Sequence, residues 1–298
     1  MRLYRLISVL SLVSAFIAVA IAQENSKYII RAGADIGLTN GVSISSPLEF
    51  NTNKSSVSNF NIDFGYNFWH KQKMSLNINA GIGYENITTS LSMDKMNYVY
   101  LSPANTDEDG NEYLRYYELS DMNQKINAAY FSVPIYLSFQ YQVSKRFALH
   151  ADIGVRMGFK LSTDVKEGTV NSYSYGIYPE YDDLMIDAEW INNFGNSVID
   201  KNSMEKPQAT GFTTSLLLGI GAEIGIVGPV SLDIGIRYTA GMNNLYSKKY
   251  SISNPVNIKD APVSYSYPAG DLVRPLVNYS TKSSLSNLAI RAGINLNF

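Results

Sequence analysis

The sequence predicts an all-β chain: a transmembrane antiparallel up-and-down β-barrel of eight strands, with short turns at one end and four long connections at the other. Three observations predict it. Apolar side chains alternate with polar or small ones through eight segments, the period of a strand with two unlike faces. The connections between these segments alternate strictly between long and tight. Past residue 22 no apolar run approaches the roughly 20 residues a helical span needs, although 45% of the 298 residues are hydrophobic and 22 are tyrosines. Apolar content diluted by alternation is what a membrane barrel requires.

The N-terminus reads as an export signal. Arg2 and Arg5 precede an apolar run from 6 to 21 broken only by serines, and Ala20-Ile21-Ala22 then meets Gln23-Glu24-Asn25. This pattern predicts a secretory signal peptide over residues 1–22, cleaved before Gln23. A membrane anchor is the alternative, but the run is short for a span and polar residues follow at once. The chain has no cysteine, which excludes a lipoprotein anchor and a disulfide framework. Residues 23–298 are then a single barrel domain. The formal net charge is −2, and about −4 without Arg2 and Arg5, so nothing favours nucleic acid.

Each strand follows from its alternation. The first, 27–38, sets Tyr28, Ile30, Ala32, Ala34 and Ile36 against Arg31, Gly33, Asp35 and Gly37. After a polar connection the second, 57–69, sets Phe60, Ile62, Phe64, Tyr66 and Phe68 against Asn59, Asn61, Asp63, Gly65 and Asn67. A tight turn at 70–73 opens the third, with Leu76, Ile78, Ala80, Ile82 and Tyr84 opposite Asn77, Asn79, Gly81, Gly83 and Glu85. A long polar region runs to about residue 125. The fourth strand, 129–143, and the fifth, 147–161, flank a turn at 144–146; the fifth sets Phe147 through Phe159 against His150, Asp152, Gly154, Arg156, Gly158 and Lys160. The longest connection follows. The sixth strand, 212–224, the turn 227–229, and the seventh strand, with Asp233, Gly235 and Arg237 on its polar face, lead through a last long connection to the eighth.

The eighth strand, 287–298, ends the chain with Leu288, Ile290, Ala292, Ile294, Leu296 and Phe298 on one face. It resembles the C-terminal signal by which bacterial outer-membrane barrels are recognised for insertion. Arg291, Gly293, Leu296 and Phe298 occupy the slots of that signal. The resemblance implies outer-membrane lipid as surroundings and the barrel-assembly machinery as a partner. The alternative, the closing strand of a soluble β-protein, gives no reason to sort connections into long and tight. In an outer-membrane barrel the tight turns are periplasmic and the long loops extracellular.

The inward faces carry an expected lumen charge network: Arg31, Asp35, Asp63, Glu85, Asp152, Arg156, Lys160, Arg237 and Arg291, with His150, Glu223 and Asp233 on the same face. The first and last strands must be neighbours, so Asp35 and Arg291 are expected to meet. Charges this deep must be paired or hydrated. One reading is a salt-bridged plug filling a small barrel; the other is a narrow or gated conduit. The glycines of this face answer to the small interior. Gly-x-Gly at Gly81 and at Gly219 lies inside strands, without the strand–loop–helix setting of a phosphate site. Pro134 faces inward in the fourth strand and is expected to mark a bulge.

The stretch Tyr130-Phe131-Ser132-Val133-Pro134-Ile135-Tyr136-Leu137 resembles a recurrent feature of the PorT-like outer-membrane β-barrel domain, common in Bacteroidota. That resemblance implies fold and compartment, in a family that spans porin-like proteins and one component of a secretion and gliding apparatus.

Little in the chain points to reaction chemistry. Of two histidines, His70 falls in a tight turn and His150 near the periplasmic end of the lumen, whereas barrel hydrolases need one at the outer rim. No catalytic residue and no cofactor are implied. Asn105, Asp107 and Asp109 before Gly110 resemble the first half of a calcium loop, but the twelfth position is Tyr116 and not an acid. Asp109-Gly110 between Tyr-rich flanks equally reads as a hairpin turn, the preferred reading, which would carry the third and fourth strands beyond the bilayer. The third loop, with Tyr173, Tyr175, Tyr178, Tyr181 and Trp190, is acidic and aromatic. Such loops serve as binding surfaces or pack on one another. The expected function is non-enzymatic surface binding or scaffolding through these loops, within an envelope or secretion complex; the alternative is a small porin or gated channel.

Overall fold

The computed structural model describes residues 27–39, 41–45, 51–107, 109–181, 184–186, 195–200, 206–246, 276 and 281–298. The expected signal peptide, Trp190 with its acidic neighbours, and most of the last loop lie outside them. The strands are β1 (Tyr28–Gly37), β2 (Val42–Ser45), β3 (Asn51–Lys71), β4 (Met74–Thr106), β5 (Glu112–Ser144), β6 (Phe147–Tyr178), β7 (Leu184–Ile186), β8 (Gly195–Asp200), β9 (Phe212–Val227), β10 (Val230–Gly241) and β11 (Lys282–Asn297). Eight of them close an antiparallel ring in the order β1-β3-β4-β5-β6-β9-β10-β11, with β1 pairing β11. β2 extends the ladder of β11, and β7 and β8 pair with β6.

Alternation explains the ring. Outward positions such as Phe60, Phe64, Ile82 and Ile220 are about half exposed or more (52, 51, 57 and 64%), an apolar belt that water would not tolerate and lipid covers. Aromatics collect at its edges. Tyr28 packs against Phe64, Tyr66 and Phe298 at the tight-turn end, and Phe159 against Phe212 at the other. The tight turns are two residues long, and Gln72 and Gly228 take positive φ (54° and 53°) to reverse the chain.

β4, β5 and β6 are 33, 33 and 32 residues long. A tilted strand crosses a bilayer in about 9–11 residues, so most of each stands outside it. The β4–β5 hairpin turns at 107–111, as its Asp-Gly reading requires. The prolongation of β6 to Tyr178 replaces what the sequence presented as the start of a loop.

Where these strands leave the belt, both faces change character. Inward positions of β4 run from Asn77, Asn79 and Glu85 to Ile87, Leu91 and Met93, all buried. Outward positions turn from Ile82 and Tyr84 to Asn86, Thr88 and Ser90. The same switch takes β3 from Asn59 to Val57 inside and from Phe60 to Ser58 outside. Val57, Ile87, Leu91, Ile126, Tyr130 and Val170 form one apolar core with Ala209, Leu245, Tyr246 and Leu276 from the connections. Tyr246 Oη lies 3.1 Å from Thr89 Oγ1, and the Leu276 amide donates to Gln124 at 2.8 Å.

Pro134 does not mark a bulge. It faces inward and opposes Arg156 on β6, while toward β4 the ladder lapses between Ala80–Ile135 and Gly83–Ser132 and resumes in the same register. A gap of two pairs absorbs the missing N–H. Bulges fall instead at the edges of the belt and beyond it, among them those between Asn67 and Trp69, Thr52 and Lys54, Ser120 and Asn123, and Lys125 and Ile126.

Candidate functional site: the charged lumen and its apolar cap

The inward side chains of the ring bury four arginines, six carboxylates and His150. Arg156 on β6 donates to Glu85 at 2.8 Å and to Asp35 Oδ2 at 3.2 Å. Arg237 on β10 donates to the same Asp35 oxygen at 3.1 Å, stands 3.7 Å from Asp152, and covers the Tyr136 ring at 5.5 Å. Arg291 Nε stands 2.9 Å from Asp233 Oδ2, an ion pair without hydrogen-bond alignment, and its Nη2 lies 3.8 Å from Asp63. Asp63 also accepts from Tyr136 Oη at 2.7 Å and from Asn61. His150 sits between Asp233 (Nε2, 2.8 Å) and Asp152 (Nδ1, 3.3 Å). A neutral imidazole donates to one of these only.

Asp35 and Arg291 do oppose each other in the β1–β11 ladder. Their charges are met elsewhere: Asp35 turns to Arg156 and Arg237, Arg291 to Asp233 and Asp63. In an interior this narrow, long guanidinium side chains reach across to other walls. Lys160 does not join the network. It lies beyond the belt, exposed, and its Nζ donates to the Ala209 carbonyl at 3.0 Å. A bulge of β6 at Leu161, opposite Ala129 and Tyr130 of β5, sits at this level. Arg31 is buried, yet its Nε and Nη1 have no hydrogen-bond partner and it makes no ion pair among the described residues.

Tyr136, Asp233 and Glu223 complete the site. Tyr136 was legible only as an inward even-numbered position of β5, where an aromatic looks out of place among Ser132, Pro134 and Ser138. Glycine opposite makes room: at Gly154 a Cβ would strike Tyr136 and the Ile135 carbonyl, and at Gly81 it would strike Asp63. Glu223, held by Ser231, Asn297 (2.8 Å) and Gln140 (3.2 Å), lines a cavity of about 680 Å³ at the tight-turn mouth, with Lys27, His70, Lys145 and Arg146 around it. Arg291 of the terminal motif thus serves the network, while Gly293 opposes Gly33. Phe298 exchanges both backbone hydrogen bonds with Tyr28 at 2.8 and 2.9 Å.

The acidic segment runs from the end of β4 into a hairpin tip at Asp107 and 109–111. Asp107 Oδ1 accepts the amides of Asp109 (3.0 Å) and Asn111 (2.8 Å), and Oδ2 accepts Asn111 Nδ2 at 3.1 Å. Asn105 opposes Tyr113 within the ladder. Slight desolvation pushes the Asp107 carboxyl up, but the Asn111 and Asp109 hydrogen bonds outweigh it and hold it below the usual range. The tyrosines pack here: Tyr113 against Tyr178 at 5.3 Å, and Tyr181, 52% exposed, donating to Asn111 at 3.0 Å.

Several solved structures are similar to this chain. Neisserial surface protein A is 11% identical, with 91% of this chain and 97% of that one covered and a TM-score of 0.34. Ail, the attachment invasion locus protein of Yersinia pestis, is 9% identical over 92% and 100%, at 0.29. The translocator domain of the autotransporter NalP from Neisseria meningitidis is 12% identical over 94% and 92%, at 0.27. No curated protein matches the sequence. The profile of the family described as "Outer membrane protein beta-barrel domain" matches residues 21–247, and the chain belongs to that family: it is an outer-membrane β-barrel of a Gram-negative envelope.

Proposed function

We propose that this protein is a non-enzymatic surface platform that binds or scaffolds through the strands and loops above the membrane, and that its lumen is a structural plug. One observation carries this reading: an apolar core, with members exposed 6% or less, lies directly above a lumen whose charges pair across the ring. Water and ions would have to break both to pass. The buried histidine has both ring nitrogens against carboxylates, which leaves it no hydroxyl to activate. Residues 1–22 act as a cleaved signal, 23–298 form the single mature domain, and the terminal strand is read by the barrel-assembly machinery. Envelope proteins are the expected partners, in line with the PorT-like resemblance.

The test is single-channel conductance of the refolded mature protein in a planar bilayer. A folded, heat-modifiable and silent barrel supports the platform reading; steady openings overturn it. A small gated channel is the second reading, favoured by the cavity at the tight-turn mouth and by Arg31, which makes no ion pair among the described residues.

A further inference from the structure

A second cavity, of about 640 Å³, opens on the outward face of β3–β6 just beyond the apolar belt. Lys54, Thr88, Ser90, Asn123, Lys125 and Glu167 line it. Three register shifts surround it, between Thr52 and Lys54, Ser120 and Asn123, and Lys125 and Ile126. An inserted residue bends its strand and raises the local twist. Three such bends around one patch make a concavity on a sheet face that would otherwise be convex.

Its height is set by the sequence. Thr88 and Ser90 stand four and six residues past Tyr84 on the same outward face. At about 3.4 Å per residue and a tilt near 45°, that is about 10–15 Å above the aromatic level. Interfacial tyrosines lie among the headgroups. The polar layer of an ordinary phospholipid is only about 5–8 Å deep, so the groove meets what projects beyond it.

The side chains are mixed in charge. Lys54 is exposed and has no partner among the described residues. Lys125 is fixed to Glu167 at 2.8 Å, and Thr88 donates to Asn127 at 3.0 Å. A free ammonium answers a phosphate. A carboxylate, an amide and hydroxyls answer sugar hydroxyls, which both donate and accept. We propose that this groove binds the phosphorylated saccharide headgroup of an outer-leaflet glycolipid, with Lys54 on the phosphate and Glu167 and Asn123 on the sugar. The site is independent of whether the lumen conducts.

The experiment is a titration of the full mature protein in detergent with purified lipopolysaccharide, intact or dephosphorylated, followed by native mass spectrometry. Wild type is expected to bind the intact form. Lys54→Glu is expected to weaken that binding at least tenfold and to leave the dephosphorylated form nearly unaffected. Lys54→Met, which keeps the stem, should show the same loss if the glutamate variant folds poorly. Lys282→Glu, exposed on β11 and outside the groove, two strands from β3, should bind as wild type. Equal affinity of wild type and both Lys54 variants, or no binding by wild type, overturns the site. Equal binding of glucosamine 1-phosphate, or of phospholipid vesicles alone, overturns the glycolipid assignment.

Discussion

Glu85 and Ile87 are successive inward residues of β4, and the interior changes phase between them. Glu85 accepts from Arg156 at 2.8 Å in the charge network, whereas Ile87, 1% exposed, belongs to the apolar core. One turn of the pleat thus separates the inside of a membrane barrel from the inside of a water-soluble one. Below that level lipid covers the outside and polar groups fill the lumen. Above it water covers the outside, and hydrophobic burial becomes the source of stability.

That division predicts separable failures. Leu91→Ala should cost about 2–5 kcal/mol of packing in the extramembranous core. Ile87→Asp should cost more, since it buries an unpaired carboxylate. Limited proteolysis is expected to open the extensions of β5 and β6 in these variants. The membrane ring should stay heat-modifiable on a gel. A variant in which ring and extension fail together would refute the separation.

The charge network predicts a different response. Arg156→Ala leaves Asp35 and Glu85 short of a buried partner, and breaking such a pair costs about 3–5 kcal/mol. Arg156→Met with Glu85→Leu should recover part of the loss, because Asp35 keeps Arg237. Urea unfolding in detergent micelles measures both. Equal stability of the single and double variants would show that the pairs are not coupled.

The ring was legible because Phe60-to-Phe68 and Leu288-to-Phe298 alternate over a full span. The lumen residues followed from the same parity. The pairing did not follow, since the register neighbours Asp35 and Arg291 pass each other over: Asp35 meets Arg156 from across the ring, and Arg291 turns diagonally to Asp233 on the adjacent β10. Lys160 kept the right parity and lay too high, a matter of height that alternation does not encode. The apolar cap was hidden for a related reason. Ile87, Thr89, Leu91 and Met93 lie among polar outward residues, and the run looked like a polar loop although its strand parity never breaks.

Glycine substitutions test the packing of the lumen. Gly154→Ala would drive a methyl group into the Ile135 carbonyl and Tyr136. Gly33→Ala meets nothing nearer than the Ala292 carbonyl at 3.4 Å, an ordinary contact. The first should refold poorly, with a loss of about 1–3 kcal/mol or more, and the second nearly as wild type. Refolding yield and urea midpoint decide the comparison.

The Asp107 cap makes the hairpin tip acid-sensitive. Its carboxyl is held below the ordinary value in the folded tip, so it contributes stability that is present above about pH 4 and is lost as pH falls through the folded value. Protection of the Asp109 and Asn111 amides, measured against their intrinsic exchange rates, should fall on acidification. Asp107→Asn should exchange faster at neutral pH and lose that dependence. A tip whose exchange follows only the intrinsic pH trend would show that the cap contributes nothing.

Phe298 carries two roles that deletion can separate. Its backbone closes the ring on Tyr28 through two hydrogen bonds, and its ring packs 6.4 Å from Tyr28. Structurally, that loss is modest, about 1–3 kcal/mol for two hydrogen bonds. Protein lacking Phe298 should therefore refold in detergent with a small drop in stability. If the terminal motif is also what the assembly machinery reads, the same deletion should reduce insertion in cells several-fold, a larger effect than the stability loss explains. Phe298→Tyr keeps an aromatic at the slot and should restore insertion. Normal insertion of the deleted chain would strip Phe298 of the recognition role and leave it a seam residue.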